Sequence, residues 1–183
     1  MPDAPTPPLH FDADYRERVR LADGTEALLR LVIPADKLLL KRGMDAFSPE
    51  SRFHRFLGTK PTLSDEELRY LTEVDGVDHF AIGATLAGPA GAEEGIGVAR
   101  FVRFCDDPAV AEPTVAVLDA YQRLGLGSLL FTRLADAARE RGVQRFSGRM
   151  LTHNDAMRRL LRRLAPGIHW TARGYVSEFD WPL

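Results

Sequence analysis

The stretch Val115-Ala116-Val117-Leu118-Asp119-Ala120-Tyr121-Gln122-Arg123-Leu124-Gly125-Leu126-Gly127-Ser128 constrains this chain more than any other. A β-branched run enters a glycine-punctuated turn, and an amphipathic pattern from Ser128 to about Arg141 follows it. β-branched side chains favour extended backbone, and apolar residues recurring every three or four positions favour a helix with one buried face. Strand, glycine turn and helix start together offer free backbone N–H groups at the positive end of a helix dipole. Such an arrangement holds a phosphate or pyrophosphate. A phosphorylated ligand is therefore expected here.

The 183 residues suit one domain with its own core, and 45% hydrophobic with 27% charged residues is ordinary for a soluble globular chain. A formal net charge of −2 gives no global electrostatic case for nucleic acid or an anionic membrane. The single cysteine, Cys105, excludes an intramolecular disulfide and a cysteine-based metal cluster, and is expected as a small apolar core residue. His54, His79 and His153 are scattered without ligand spacing, so no metal site is expected. No apolar run approaches membrane-spanning length and no signal-peptide region opens the chain, which makes the cytoplasm the expected location.

Residues 1–17 begin with four prolines (Pro2, Pro5, Pro7, Pro8) and are read as a flexible arm before a domain over 18–183. Val19 to Leu21 and Ala27 to Val32 flank Asp23-Gly24, a hairpin signal. Helices are expected from Pro34 to about Ala46, from Ser48-Pro49-Glu50 onward, and after a capping box at Ser64-Asp65-Glu66-Glu67. Phe80 to Leu86 and Gly97 to Phe104 read as an antiparallel pair around a turn at Gly88 to Gly95. A strand near Thr114 to Leu118, the helix from Ser128, a strand at Arg145 to Arg149 and a helix at Asn154 to Leu164 follow. A terminal strand pair, His169 to Ala172 and Tyr175 to Phe179, closes the chain. The order predicts one α/β domain: a mixed, mostly antiparallel sheet with helices on both faces.

Several ligands fit a glycine turn in principle. A nucleoside-triphosphate loop needs a lysine after its last glycine, where Ser128 stands. A dinucleotide fold needs three spaced glycines in a parallel unit, and only Gly125 and Gly127 are present. A plain strand-to-helix turn with incidental glycines is the remaining alternative. Gln122-Arg123-Leu124-Gly125-Leu126-Gly127, between a strand and an amphipathic helix and with Asn154 at the next helix start, resembles the acyl-CoA loop of the GNAT N-acyltransferases. Ser48-Pro49-Glu50-Ser51, Arg55-Phe56, Val74-Asp75, Gly97-Val98-Ala99-Arg100 and Ala111-Glu112 resemble the GNAT modules of bacterial protein-lysine acetyltransferases. The resemblance covers roughly residues 18–180. Larger relatives carry extra domains, and this chain is expected to hold the GNAT module alone.

The resemblance implies a splayed central strand pair, acetyl-CoA as acyl donor and an amine acceptor, either a small molecule or, preferred, a protein lysine. It implies that pantetheine pairs with backbone near Val117 and Leu118, and that residues 122–128 (Gln122, Arg123, Leu124, Gly125, Leu126, Gly127 and Ser128) hold the pyrophosphate. Asn154 would contact the pantetheine arm or cap its helix; both roles suit asparagine. Arg158, Arg159, Arg162 and Arg163 read as a solvated helix face, from which one, or Arg123, could meet a ribose phosphate. An attacking ammonium must lose a proton, so a base is needed, and a donor must meet the thioester oxygen as charge builds. Glu112 corresponds to the family's proposed base. Two-residue alternation puts it on one face with Thr114, Ala116 and Leu118 if no bulge intervenes. The oxyanion donor is expected at the backbone N–H near Leu118. Many GNAT enzymes carry a tyrosine acid where this chain has Leu161; a thiolate can leave without one because its thiol is a fairly strong acid. Leu161 and Pro113 keep open a second reading, an acyl-CoA-binding sensor without transfer activity, and a scaffold role is a third. The terminal hairpin edge leaves pairing with a second copy open.

Overall fold

The computed structural model describes residues 9–56, 60–88 and 91–183. Strands β1 (Arg16–Arg20) and β2 (Glu26–Leu31) form the expected hairpin, with the Leu21 N–H donating to Thr25 O at 2.8 Å and Asp23 Oδ1 accepting from the Thr25 N–H. A short 3-10 turn, Pro34–Asp36, leads into α1 (Lys37–Ala46), and Pro49 opens α2 (Pro49–Phe56) at the position where its missing N–H costs nothing. Helix α3 (Asp65–Thr72) starts on a complete capping box: Ser64 Oγ accepts from the Glu67 N–H and Glu67 Oε2 from the Ser64 N–H at 2.8 Å. Strands β3 (His79–Ala87), β4 (Glu93–Arg103) and β5 (Val110–Val117) form the antiparallel meander. Then follow α4 (Leu126–Glu140), β6 (Arg145–Leu151), α5 (Asp155–Leu164), β7 (His169–Arg173) and β8 (Val176–Pro182).

The strands make one sheet in the order β1-β2-β3-β4-β5-β6-β8-β7, in which β5–β6 is parallel and the other neighbours are antiparallel. Paired residues share a face, so Phe80, Phe101, Ile82 and Ala99 lie together beneath α4. Leu126, Leu130, Phe131 and Leu134 of α4 are fully buried in that core, each contributing on the order of 1.5–3 kcal/mol of burial. On the other face α1 packs against β4 and α3 against α1.

Four expectations are corrected. The domain begins before residue 18, because Phe11 and Tyr15 are buried and β1 starts at Arg16; the prolines at 2, 5, 7 and 8 lie outside the described residues. Arg141 explains this order: its Nη2 donates to Phe11 O at 2.7 Å and its guanidinium stacks over Phe80. Cys105 is exposed, in the loop between β4 and β5. The β3–β4 turn is shorter than expected, since β4 starts at Glu93. Helix α4 starts at Leu126, two residues before the expected Ser128, because Gly125 takes a left-handed conformation (φ 91°) and lets the helix begin directly.

The sheet carries two irregularities. Ala84 pairs with Gly97 and Thr85 with Gly95, so Ile96 is an extra, bulged residue in β4. Strand β5 pairs regularly with β4 throughout, yet meets β6 only at Val110↔Arg145 and Ala111↔Phe146 before the two diverge. Val110 O accepts from Phe104 and the Leu118 N–H donates to Ile96 O at 3.0 Å, so even-numbered residues of β5 point their polar groups at β4. By alternation Ala111, Pro113, Val115 and Val117 point theirs at β6. Pro113 thus lacks its N–H on the side that opens, where it breaks no bond to β4 and ends the pairing with β6.

Candidate active site

The opened wedge between β5 and β6 leads directly to the turn before α4. Pairing with β6 stops at Ala111, so the backbone groups of Val115 and Val117 face the gap. At the head of the gap, Arg123 and Gly125 both have positive φ (61° and 91°), a conformation that costs a non-glycine residue about 1 kcal/mol. The N–H groups of Leu126, Gly127 and Ser128, the first turn of α4, meet no acceptor among the described residues. Three unpaired donors at the positive end of a fifteen-residue helix make an anion cradle. A Cβ added at Gly127 would touch only Val117 Cγ2, at 3.8 Å. The protein itself leaves room there, which suits a phosphate lying close to the backbone.

The loop residues divide by what they touch. Gln122 was expected at the phosphate; instead its Nε2 donates to Val117 O at 3.1 Å and to Ser51 Oγ at 3.2 Å, bracing the loop. Asp119 accepts from the Ser48 N–H, Ser48 Oγ and Ser51 Oγ at 3.0, 3.0 and 2.7 Å, tying the end of β5 to the start of α2. Burial pushes the Asp119 pKa up, but these donors outweigh it and hold the carboxyl below its usual range. Leu124 packs against the core, and its carbonyl accepts from the Ala22 N–H. Leu126 is fully buried, whereas Arg123 is exposed. The oxyanion donor was expected at a backbone N–H near Leu118; that of Leu118 itself is already bonded to Ile96 O across the bulge. The N–H nearest to it that faces the gap is that of Val117.

Glu112 is exposed, and unbroken register with β4 puts it on the face of Thr114, Ala116 and Leu118. Ala116 and Leu118 line a pocket between the sheet and helices α1 to α3, walled by Leu39, Leu40, Met44 and Phe56. Asn154 caps α5, its Oδ1 accepting from the Met157 N–H at 3.0 Å, and is buried. Leu161 is fully buried in the core and offers no proton. Arg159, Arg162 and Arg163 are exposed, while Arg158 leans on Thr152 O at 3.5 Å.

Two groupings escaped the sequence. The rings of His54 on α2 and His153 before α5 approach to 5.6 Å between centroids, so these histidines are not scattered in space. Arg55 and Arg100, distant in sequence, line the same pocket near Glu112. Neither pairing leaves a local spacing signal. Among the described residues no group of three or more histidine, cysteine or acidic side chains could hold a metal ion, and no helix is long and apolar enough to cross a membrane.

A splayed parallel strand pair leading to a free-amide helix start is the arrangement expected of the GNAT fold. The chain belongs to that family: residues 45–165 match the acetyltransferase (GNAT) family model. It is 40% identical over 90% of its length to the acetyltransferase Pat of Mycolicibacterium smegmatis, of which it spans 48%. It is also 31% identical, over 87% of its length and 80% of the relative's, to an acetyltransferase of Pseudomonas aeruginosa. The crystal structure of the GNAT domain of S. lividans PAT superposes with a TM-score of 0.83 at 28% identity, covering 94% of this chain and 99% of that one.

Proposed function

We propose that the protein transfers an acetyl group from acetyl-CoA to a primary amine, with a protein lysine as the preferred acceptor and Glu112 as the base. The single observation that carries this reading is the row of unpaired N–H groups at Leu126, Gly127 and Ser128, set at the head of the β5–β6 wedge. The amides receive the pyrophosphate, and the backbone of Val115 and Val117 pairs with pantetheine as an added strand would. Bound there, acetyl-CoA supplies an activated thioester carbonyl. Of the N–H groups near Leu118, that of Val117 takes the oxyanion role, since the Leu118 N–H is engaged. Asn154 combines its cap with its remaining amide group toward the pantetheine arm.

Glu112 accepts the proton of the acceptor ammonium, directly or through water, and the amine attacks the carbonyl carbon. With Leu161 in the core, the thiolate departs without a protein acid. The resemblance of Gly97-Val98-Ala99-Arg100 and Ala111-Glu112 to protein-lysine acetyltransferase modules supports the lysine preference. A sensor that binds acetyl-CoA without transfer is less well supported, because Pro113 ends the β5–β6 pairing and thereby shapes the wedge.

Calorimetric titration with acetyl-CoA, beside Glu112→Gln in a transfer assay, tests the reading. Saturable binding is expected in both proteins, with turnover lower by on the order of a hundredfold in the variant, the usual scale for losing an acid–base group. Equal turnover removes Glu112 from the mechanism; absence of binding removes the acetyl-CoA site.

A further inference from the structure

The pocket on the face of β5 that bears Glu112 holds two arginines without a direct ion-pair partner among the described residues. Arg100 is only 5% exposed. Its Nη1 lies 3.0 Å from Leu71 O and 3.0 Å from His79 Nε2, and both partners are uncharged. The histidine is kept neutral by burial and by the guanidinium itself, which push its pKa down to about 4. Arg55 lines the same pocket, with its guanidinium 5.0 Å from the Phe56 ring centroid. Burial lowers its pKa, opposed by the charge of Glu112. Among the described residues no carboxylate forms an ion pair with either arginine. The two are close enough for the charge of Arg55 to depress the pKa of Arg100, so they repel each other.

Arg30, at another part of the same pocket, shows the contrast. Asp36 and Glu93 both pair with it, so it has no unmet demand for an anion. With Glu112 nearby on β5, Arg55 and Arg100 leave one net positive charge in their part of the pocket, whose other polar lining is Thr85 and the paired Arg30 and Asp36. Desolvated cations of this kind favour an anion strongly, and guanidinium groups favour a planar carboxylate.

Resting on the acetyltransferase reading above, we propose that the acceptor brings its own carboxylate, which Arg55 and Arg100 hold while its amine faces Glu112. Arg100 stands opposite Thr114, and Glu112 lies two residues further along the same face of β5. Diagonal neighbours of this kind are roughly 7–8 Å apart at the backbone, within reach of long side chains, so one acceptor can meet both groups. Leu39, Leu40, Met44 and Phe56 then cover an apolar portion of the acceptor. A free apolar amino acid and a lysine next to an acidic residue both supply this chemistry.

Two acceptor pairs separate these sources: leucine against leucinamide, and a lysine peptide with a neighbouring glutamate against the same peptide with glutamine. In at least one pair the carboxylate member is expected to show a KM at least about tenfold lower, the scale of one charge-assisted contact. Arg55→Gln abolishes that preference while acetyl-CoA affinity stays unchanged, and Arg55→Lys restores part of it. Equal treatment of both members in both pairs, or a preference that survives in Arg55→Gln and Arg100→Gln alike, overturns the proposal. If no amine is acetylated, the transferase reading fails. Calorimetry of N-acetyl-leucine against its amide on CoA-saturated protein then decides the anion site alone: tighter carboxylate binding lost in Arg55→Gln supports it, and equal binding overturns it.

Discussion

Gly125 and Gly127 stand two residues apart and answer to different demands. Gly125 is needed by the fold, since its φ of 91° lets α4 begin directly after the turn. Gly127 has ordinary backbone angles and an open space where a Cβ would go, so nothing in the protein requires it. On the proposed acetyl-CoA reading, its place is explained by a ligand close to the α4 amides. Gly127→Ala is therefore expected to leave the thermal midpoint unchanged while weakening acetyl-CoA binding by about tenfold, or ~1.4 kcal/mol. Paired thermal and calorimetric measurements check this; an unchanged affinity would place the pyrophosphate elsewhere. Gly125→Ala should instead lower stability by about 1 kcal/mol, read from urea unfolding, because alanine resists the left-handed region.

At the scale of elements, the ion pairs of Arg30 hold the start of α1 on the sheet. Arg30 of β2 makes a bidentate pair with Asp36, at 2.8 and 2.7 Å, and also bonds Glu93 of β4. Asp36 Oδ2 additionally accepts from the Ile33 N–H, fixing the turn that launches α1. Asp36→Asn should cost about 3 kcal/mol in urea unfolding, since it leaves a buried guanidinium short of a partner. A loss below about 0.5 kcal/mol, the level of a surface pair, would show that Glu93 alone suffices. The elements themselves were legible: the Ser64 capping box, Pro49 at a helix start and Asp23-Gly24 in a hairpin are local signals, and each produced its element. Arg30 meeting Glu93 was not legible, because sixty-three residues separate them.

Across the molecule, two networks link stability to pH in the same direction. His79 is buried neutral with a folded pKa of about 4 against an ordinary 6.5, so the unfolded chain binds its proton first. Its contribution is complete above pH 6.5 and is lost as pH falls toward 4, on the order of 3 kcal/mol. Glu17 is held at about 2 chiefly by its hydrogen bonds from Arg133, so its contribution is complete above its ordinary 4.5 and fades as pH falls toward 2. Urea midpoints should thus be flat above pH 6.5 and decline in two stages below it. His79→Gln should remove the upper stage alone; an unaltered profile would reassign that stage to another group.

The order of elements, the glycine turn at residues 122–128 and the place of Glu112 on its strand face could be read from the chain alone. These depend on alternation, helical period, caps and turn residues, which act over a few positions. Which backbone amides remain free depends on packing in three dimensions. The Leu118 N–H is taken by a bulge in β4, and Gln122 is turned onto Ser51 and Val117. The Val117 N–H faces a gap that Pro113 helps to open. The tertiary structure likewise brought Arg55 and Arg100 into one pocket and His54 against His153. Such pairings depend on strand order and helix packing, in which residues far apart along the chain become neighbours without any local pattern to announce it.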